Sequence, residues 1–250
     1  MPNQSIQDFA GLQCLVFDNL PAGQVPTQLV VICHGFGANK DDLATFAPYL
    51  MQCDPAIADS CRFVFPDAPI DLTSQGMPGG RAWWEINMAK LAMMNQTQNY
   101  EELTTLTPPG LLEASQQLAT AVREMQQAFE LDDAATILAG FSQGAMISTD
   151  LVLRHAFHPR QLCVFSGTML CRDDWTAFAA KHAGCPVLQS HGTVDMVLPF
   201  EPAEGLRDML KANGFDVTFH SFYDGHTVPI EILDEVAVGL AKATVPNNRG

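Results

Sequence analysis

Short, nearly unbroken apolar runs alternate along the chain with longer segments whose apolar residues recur every three or four positions. Leu29-Val-Val-Ile-Cys33 is one such run, and residues 62–65, 136–139, 161–165, 186–189 and 217–222 supply others. Runs this short, rich in β-branched and aromatic side chains, suit strands covered on both faces, the usual condition of a parallel sheet. Between them, Leu111, Leu112, Leu118, Ala119, Val122, Met125 and Phe129 lie on one helical stripe, and Pro108-Pro109-Gly110 stops anything before it. Ala203, Leu206, Met209 and Leu210 form a second stripe from Pro202. Asn213-Gly214 ends it, glycine supplying a left-handed residue past the helix. A last helix is predicted over Ile230–Ala243. The alternation predicts an α/β domain with a mainly parallel central sheet and helices on both faces. No linker or repeat divides it, so the expectation is one domain over residues 1–250.

Residues 86–107 break the rhythm. Met88, Leu91, Met93, Met94, Tyr100, Leu103 and Leu106 surround a polar centre, Asn95-Gln-Thr-Gln-Asn99. The segment matches neither the helical nor the strand period. A long excursion in a compact domain is commonly functional. Methionine adapts to several apolar shapes, so Met93 and Met94 are expected to face an apolar ligand from a lid beside Trp83-Trp84.

Composition narrows the partners. There are 28 Asp+Glu against 13 Lys+Arg, a formal net charge of −15. A surface this acidic repels phosphate backbones and anionic membranes, which argues against nucleic acid and lipid surfaces as partners. No apolar run reaches the length of a membrane span, so no stable membrane insertion is expected. Residues 1–18 carry neither a basic flank nor a long apolar core, so no secretory signal is read there. The seven cysteines are odd in number and form no C-x-x-C. They are expected to be reduced and structural, in a cytoplasmic protein. A Cys53–Cys61 bridge is the one exception entertained.

The chemistry begins at Gly140-Phe-Ser142-Gln-Gly144, which follows the 136–139 strand and precedes the apolar helical run 145–153. Strand, G-x-S-x-G, helix is the context of a nucleophile elbow. It presents Ser142 at the carboxyl edge of the sheet, above a helix N-terminus that favours developing negative charge. A serine hydroxyl needs a base. His155 and His158 fall at a helix end, His182 in a helix C-terminal pattern and His220 within a strand. His226 lies on a loop past the last strand, where a base is required, and is the candidate. For the carboxylate that orients it, Asp195 lies in the loop after the 186–189 strand. Asp173 and Asp174 read as first-turn helix acids and Asp216 as a turn residue. Asp224, two residues from His226, is the rival. An oxyanion needs convergent N–H groups. Gln143 follows the nucleophile, and His34-Gly-Phe-Gly37 follows an early strand, with Phe36 preferred as second donor and Gly35 the alternative. No metal is predicted, since His34 and His191 lack partners at ligand spacing.

Taken together, these blocks resemble the phospholipase/carboxylesterase family of α/β-hydrolases, which includes acyl-protein thioesterases and small carboxylesterases. The resemblance rests on His34-Gly-Phe-Gly37, Pro66-Asp-Ala-Pro69, Arg81-Ala-Trp-Trp-Glu85, Gly140-Phe-Ser-Gln-Gly144, His191-Gly-Thr-Val-Asp195 with Val197-Leu-Pro199, and Gly225-His226, in the family's order over residues 30–230. It implies the α/β-hydrolase fold, a Ser142–Asp195–His226 triad, oxyanion donors at Phe36 and Gln143, and acyl contacts around Trp83 and Trp84. The chain departs from the family pattern at Ala145, where glycine is often found, and in the length of 86–107. The activity implied is hydrolysis of a small-molecule ester or thioester through an acyl-enzyme, without a cofactor. A non-catalytic binding protein on this fold would lack a triad member, and none is lacking. A peptidase or acyltransferase uses the same triad and differs in the pocket.

Overall fold

The computed structural model describes residues 2–181 and 185–243; His182 lies outside them. Along the chain the strands are β1 (Asn3–Phe9), β2 (Leu12–Asp18), β3 (Gln28–Cys33), β4 (Cys61–Pro66), β5 (Ile70–Asp71), β6 (Arg81–Ala82), β7 (Thr136–Phe141), β8 (Gln161–Phe165), β9 (Pro186–Gly192) and β10 (Asp216–Phe222). The helices are α1 (Phe46–Cys53), α2 (Pro55–Ala58), α3 (Met88–Thr97), α4 (Glu101–Thr105), α5 (Leu111–Phe129), α6 (Gln143–Arg154), α7 (Arg172–Ala179), α8 (Phe200–Ala212) and α9 (Ile230–Ala243).

Every apolar run named from the sequence is a strand of one eight-stranded sheet, ordered β1-β2-β4-β3-β7-β8-β9-β10. From β4 to β10 neighbouring strands are parallel. All six residues of β3 are buried, because helices cover both faces. Leu29, Val31 and Cys33 point into one layer with Leu118, Met146, Trp175 and Leu206 of α5–α8. Val30 and Ile32 point into the other, with Leu50, Ile57 and Val236 of α1, α2 and α9. The chain has the mainly parallel, helix-covered sheet that the alternation predicts, in the α/β-hydrolase architecture that the resemblance implies.

The pattern did not reveal the antiparallel β1–β2 hairpin at the sheet edge. Asn3–Phe9 is mostly exposed and polar, so it carries no apolar period. Its two-residue turn, Ala10-Gly11, has φ of 50° and 78°, the left-handed pair a tight hairpin requires. Residues 86–107 resolve into α3 and α4, joined through left-handed Gln98. The Asn87 side chain caps α3 by accepting the Lys90 N–H. Only Leu91 of α3 and Thr104 of α4 are buried, so neither helix has an apolar stripe to read. The entertained disulfide is absent: Cys53 is exposed, Cys61 is buried in β4, and all seven cysteines are free. Burial pushes the Cys33 and Cys163 thiols up to about 12, which makes them inert packing groups. Among the described residues no helix is long and apolar enough to cross a membrane.

Candidate active site

Ser142 sits between β7 and α6 with φ 56° and ψ −119°, a strained conformation for a residue with a side chain. The turn is fixed from both sides. The Ser142 N–H donates to the Phe165 carbonyl at 2.9 Å, and its own carbonyl accepts from Ala145 and Met146. A Cβ on Gly144 would stand 2.0 Å from the Cys33 carbonyl oxygen, so only glycine lets α6 start this close to β3. Ala145 fits because residue 167 is glycine, where a Cβ would meet the Ala145 methyl at 2.7 Å.

The loop after β3 lies against the serine. A Cβ on Gly35 would be 3.3 Å from the Ser142 Cβ. Gly37 N–H is taken by the Arg81 carbonyl at 2.9 Å and Ala38 N–H by the Gly35 carbonyl at 3.3 Å. Gln143 opens α6, so its N–H has no intrahelical acceptor. Two groups that the sequence did not single out for this purpose hold the loop. The buried Gln143 side chain accepts the Trp83 N–H at 2.9 Å and donates to the Trp84 carbonyl at 2.8 Å. The Trp83 indole N–H donates to the His34 carbonyl at 3.0 Å.

His34 completes the brace. Its Nδ1 donates to the Gly35 carbonyl at 2.7 Å, and its Nε2 accepts the Ala68 N–H at 3.0 Å. That pairing needs the neutral ring, and burial lowers its pKa from the ordinary 6.5. Below pH 6.5 an unfolded chain gains a proton here that the folded chain refuses. This contribution to stability is therefore full above 6.5 and is lost as pH falls through it, by up to about 1.4 kcal/mol per pH unit. Denaturant unfolding between pH 7.5 and 5 should show a shallower decline for His34→Gln than for the parent. Equal slopes would remove His34 as the source.

His226 lies on the loop between β10 and α9. Its ring packs 4.7 Å from that of Phe141, the residue before Ser142. Its Nδ1 donates to Asp195 Oδ2 at 2.6 Å. Asp195 Oδ1 accepts the N–H groups of Val197 at 2.8 Å and Leu198 at 2.9 Å. His191 Nε2 stands 3.4 Å from Oδ2 and donates to the Leu198 carbonyl at 2.8 Å. Burial alone would raise the Asp195 pKa and is the largest influence on it. The hydrogen bonds from His191 and His226, the charge of His226 and the Leu198 N–H outweigh it and hold the carboxyl well below the usual range. The acid and base loops touch at Gly192, where a Cβ would be 2.3 Å from the Asp224 and Gly225 carbonyl oxygens.

The competing candidates lie elsewhere. Asp224 is exposed and accepts its neighbour's Gly225 N–H. Asp173 and Asp174 open α7. Asp216 begins β10. His155 caps α6 and stands 3.1 Å from Ser115 Oγ. His220 lies 2.7 Å from Glu235.

A cavity of about 560 Å³ opens over the start of α6, one turn past the serine, lined by Trp84, Leu91, Met94, Leu103, Met146 and Leu198 among others. It runs between α6, the acid loop and the α3–α4 excursion, and a Lys90–Glu102 ion pair joins the two excursion helices at its wall. Of the four residues expected to contact an acyl chain, Trp84 and Met94 line this cavity. Trp83 is fully buried and braces the His34 loop instead. Met93 is 57% exposed on the outer side of α3, because one residue along a helix turns the side chain through about 100°. A larger groove of about 870 Å³ between α4, α7 and α8 has charged walls, with Arg172 paired to Glu101 and Arg207 to Glu204. Its walls are the more polar of the two.

The chain matches, over residues 20–243, the model of a family described as Phospholipase/Carboxylesterase. Acyl-protein thioesterase 1 of Eremothecium gossypii is 30% identical over 221 residues, which cover 86% of this chain and 87% of that protein. Acyl-protein thioesterase 1 of Candida albicans is 26% identical over 225 residues, 87% and 93% of the two chains. Among solved structures, esterase PE8 superposes with a TM-score of 0.73 at 24% identity, covering 97% of this chain and 99% of that one. A carboxylesterase from Mesorhizobium loti gives a TM-score of 0.72 at 18% identity over 96% and 99%. At these identities the structural likeness is one of fold.

Proposed function

This chain belongs to the phospholipase/carboxylesterase family, a carboxylesterase- and acyl-thioesterase-type serine hydrolase, and we propose that it works through an acyl-enzyme on Ser142. The observation that carries this is the Asp195–His226 hydrogen bond of 2.6 Å on loops that meet beside a serine held in a strained elbow. Asp195 fixes the imidazole with Nδ1–H toward itself, which leaves Nε2 to take the Ser142 proton. The Ser142 oxygen attacks the acyl carbonyl. The N–H groups of Phe36 and Gln143 receive the oxyanion, and His226 passes the proton to the leaving alcohol or thiol. Water, activated by the same imidazole, then releases the acid and restores the serine.

The substrate is a small ester or thioester whose acyl chain enters the cavity beneath α3 and α4, which act as its lid. We place the enzyme in the cytosol, in keeping with its unpaired thiols. A fluorophosphonate should label the native protein at one position, and peptide mapping should find the adduct on Ser142. An adduct on another serine would overturn the assignment. With oxygen esters and thioesters of graded acyl length, kcat/KM should rise with chain length until the cavity is full. Each buried methylene adds up to about 0.8 kcal/mol. Met94→Ser should lower kcat/KM roughly tenfold on long chains and leave acetyl esters nearly unchanged. Met93→Ser should change neither. Equal losses on short and long esters would give the segment a structural role instead.

A further inference from the structure

The lid helix reaches the triad acid through two peptide groups. Asn95, in α3 beside the cavity-lining Met94, donates from Nδ2 to the Met196 carbonyl at 2.9 Å and to the Val197 carbonyl at 3.1 Å. The Met196 carbonyl shares a peptide group with the Val197 N–H, and the Val197 carbonyl shares one with the Leu198 N–H. Those two N–H groups are the donors to Asp195 Oδ1. One side-chain amide therefore grips the carbonyl ends of the two peptides whose other ends hold the carboxylate. A hydrogen bond at the carbonyl also polarises the peptide and strengthens donation from its N–H.

Three further facts bear on this link. Among the described residues the Asn95 Oδ1 is buried without a partner, so the amide's orientation is set by the two carbonyls alone. In the acid loop Met196 is 81% exposed and Val197 is exposed too, between buried Asp195 and Leu198, so at these two residues hydrogen bonds supply what packing does not. Leu198 belongs to both structures, since its side chain lines the cavity with Leu91 and Met94 while its carbonyl accepts from His191.

We propose that Asn95 is a positioning residue for the hydrolase reaction, acting through residues 196–198 to hold Asp195 in line with His226, so that turnover depends on α3 being docked. This rests on the triad proposed above. It also separates two roles of the lid, since Met94 shapes the cavity while Asn95 sets the acid.

The test uses an acetyl ester, which does not fill the cavity. Asn95→Ala and the isosteric Asn95→Asp should each lower kcat roughly 10- to 100-fold, the scale of a displacement of about 1 Å in a catalytic group. KM should change little. Asn95→Asp should be at least as impaired as Asn95→Ala, because a carboxylate would face two carbonyl oxygens. In an Asp195→Asn background, Asn95→Ala should cost nothing further, since the group it positions is already disabled. Thermal unfolding of each variant, followed by circular dichroism, verifies that it is folded at the assay temperature. An acetyl-ester kcat for Asn95→Asp within twofold of the parent, or a loss in the Asp195→Asn background as large as in the parent, would overturn the proposal alone. Full activity of Asp195→Asn itself would overturn it together with the triad.

Discussion

Replacement of Ser142 by alanine should lower kcat by on the order of 10⁴-fold or more, with the fold intact. In the proposed mechanism the covalent route disappears with the hydroxyl, while the proposed oxyanion donors, Phe36 and Gln143, and the proposed acyl cavity remain. What survives is the slow attack of water on a bound, polarised ester. The substitution removes one oxygen from a site whose strain lies in the backbone, at φ 56°. Alanine keeps that strain, so unfolding should change little and KM for a long-chain ester should stay near the parent's. Steady-state kinetics on one preferred ester is the measurement. A kcat within tenfold of the parent would show that the hydrolase reaction runs through another group.

The second large effect is expected at Asp195. An Asp195→Asn side chain can still accept the Val197 and Leu198 N–H groups through its oxygen, so the loop should keep its shape. Its amide nitrogen would then face His226 Nδ1, which favours the tautomer with the proton on Nε2. That tautomer cannot accept from Ser142, and kcat should fall by about 10⁴-fold. Asp195 also has a pKa far below that of an ordinary carboxyl. Its folded-state pKa is depressed, so its contribution to stability is present above about 3.9 and is lost only as pH falls through its folded value. Across the range in which an esterase is assayed it is ionised, and its protonation should leave no limb in a pH–rate profile. Asp224→Asn should cost little by comparison, since that side chain is exposed and accepts its neighbour's N–H. The opposite ranking of the two variants in a matched assay would move the acid to Asp224.

The positions of the candidate triad were legible because each lies at the end of a strand that the pattern reveals. A parallel strand buried on both faces has to be apolar throughout, so β3, β7 and β9 stand out, and the polar residues just past their ends stand out with them. Ser142, Asp195 and the His34 loop are such residues. His226 follows β10 by the same logic, although β10 is only partly buried. The edge strand β1 gave no signal, since one sheet edge and one face in water leave polar residues free to occupy it. The α3–α4 segment gave an ambiguous one, because a helix over a cavity packs few side chains and needs no continuous stripe.

The sequence by itself determined the α/β alternation and the candidate elbow at Ser142, which are local or follow from burial along one strand, and it offered Asp195 and His226 as the candidate acid and base. Only the tertiary structure decided the partners. It assigned Trp83 to the His34 carbonyl and the Gln143 side chain to the 83–84 backbone. It placed Met94 in the cavity and Met93 in solvent, and it put His191 and Asn95 around the acid loop. Most of these are hydrogen bonds or contacts between residues far apart in sequence, such as the 101 positions between Asn95 and Met196. Periodicity records which side of its own element a residue occupies. It carries no record of which distant peptide comes to lie opposite, because that is set by how the helices and loops pack over the sheet.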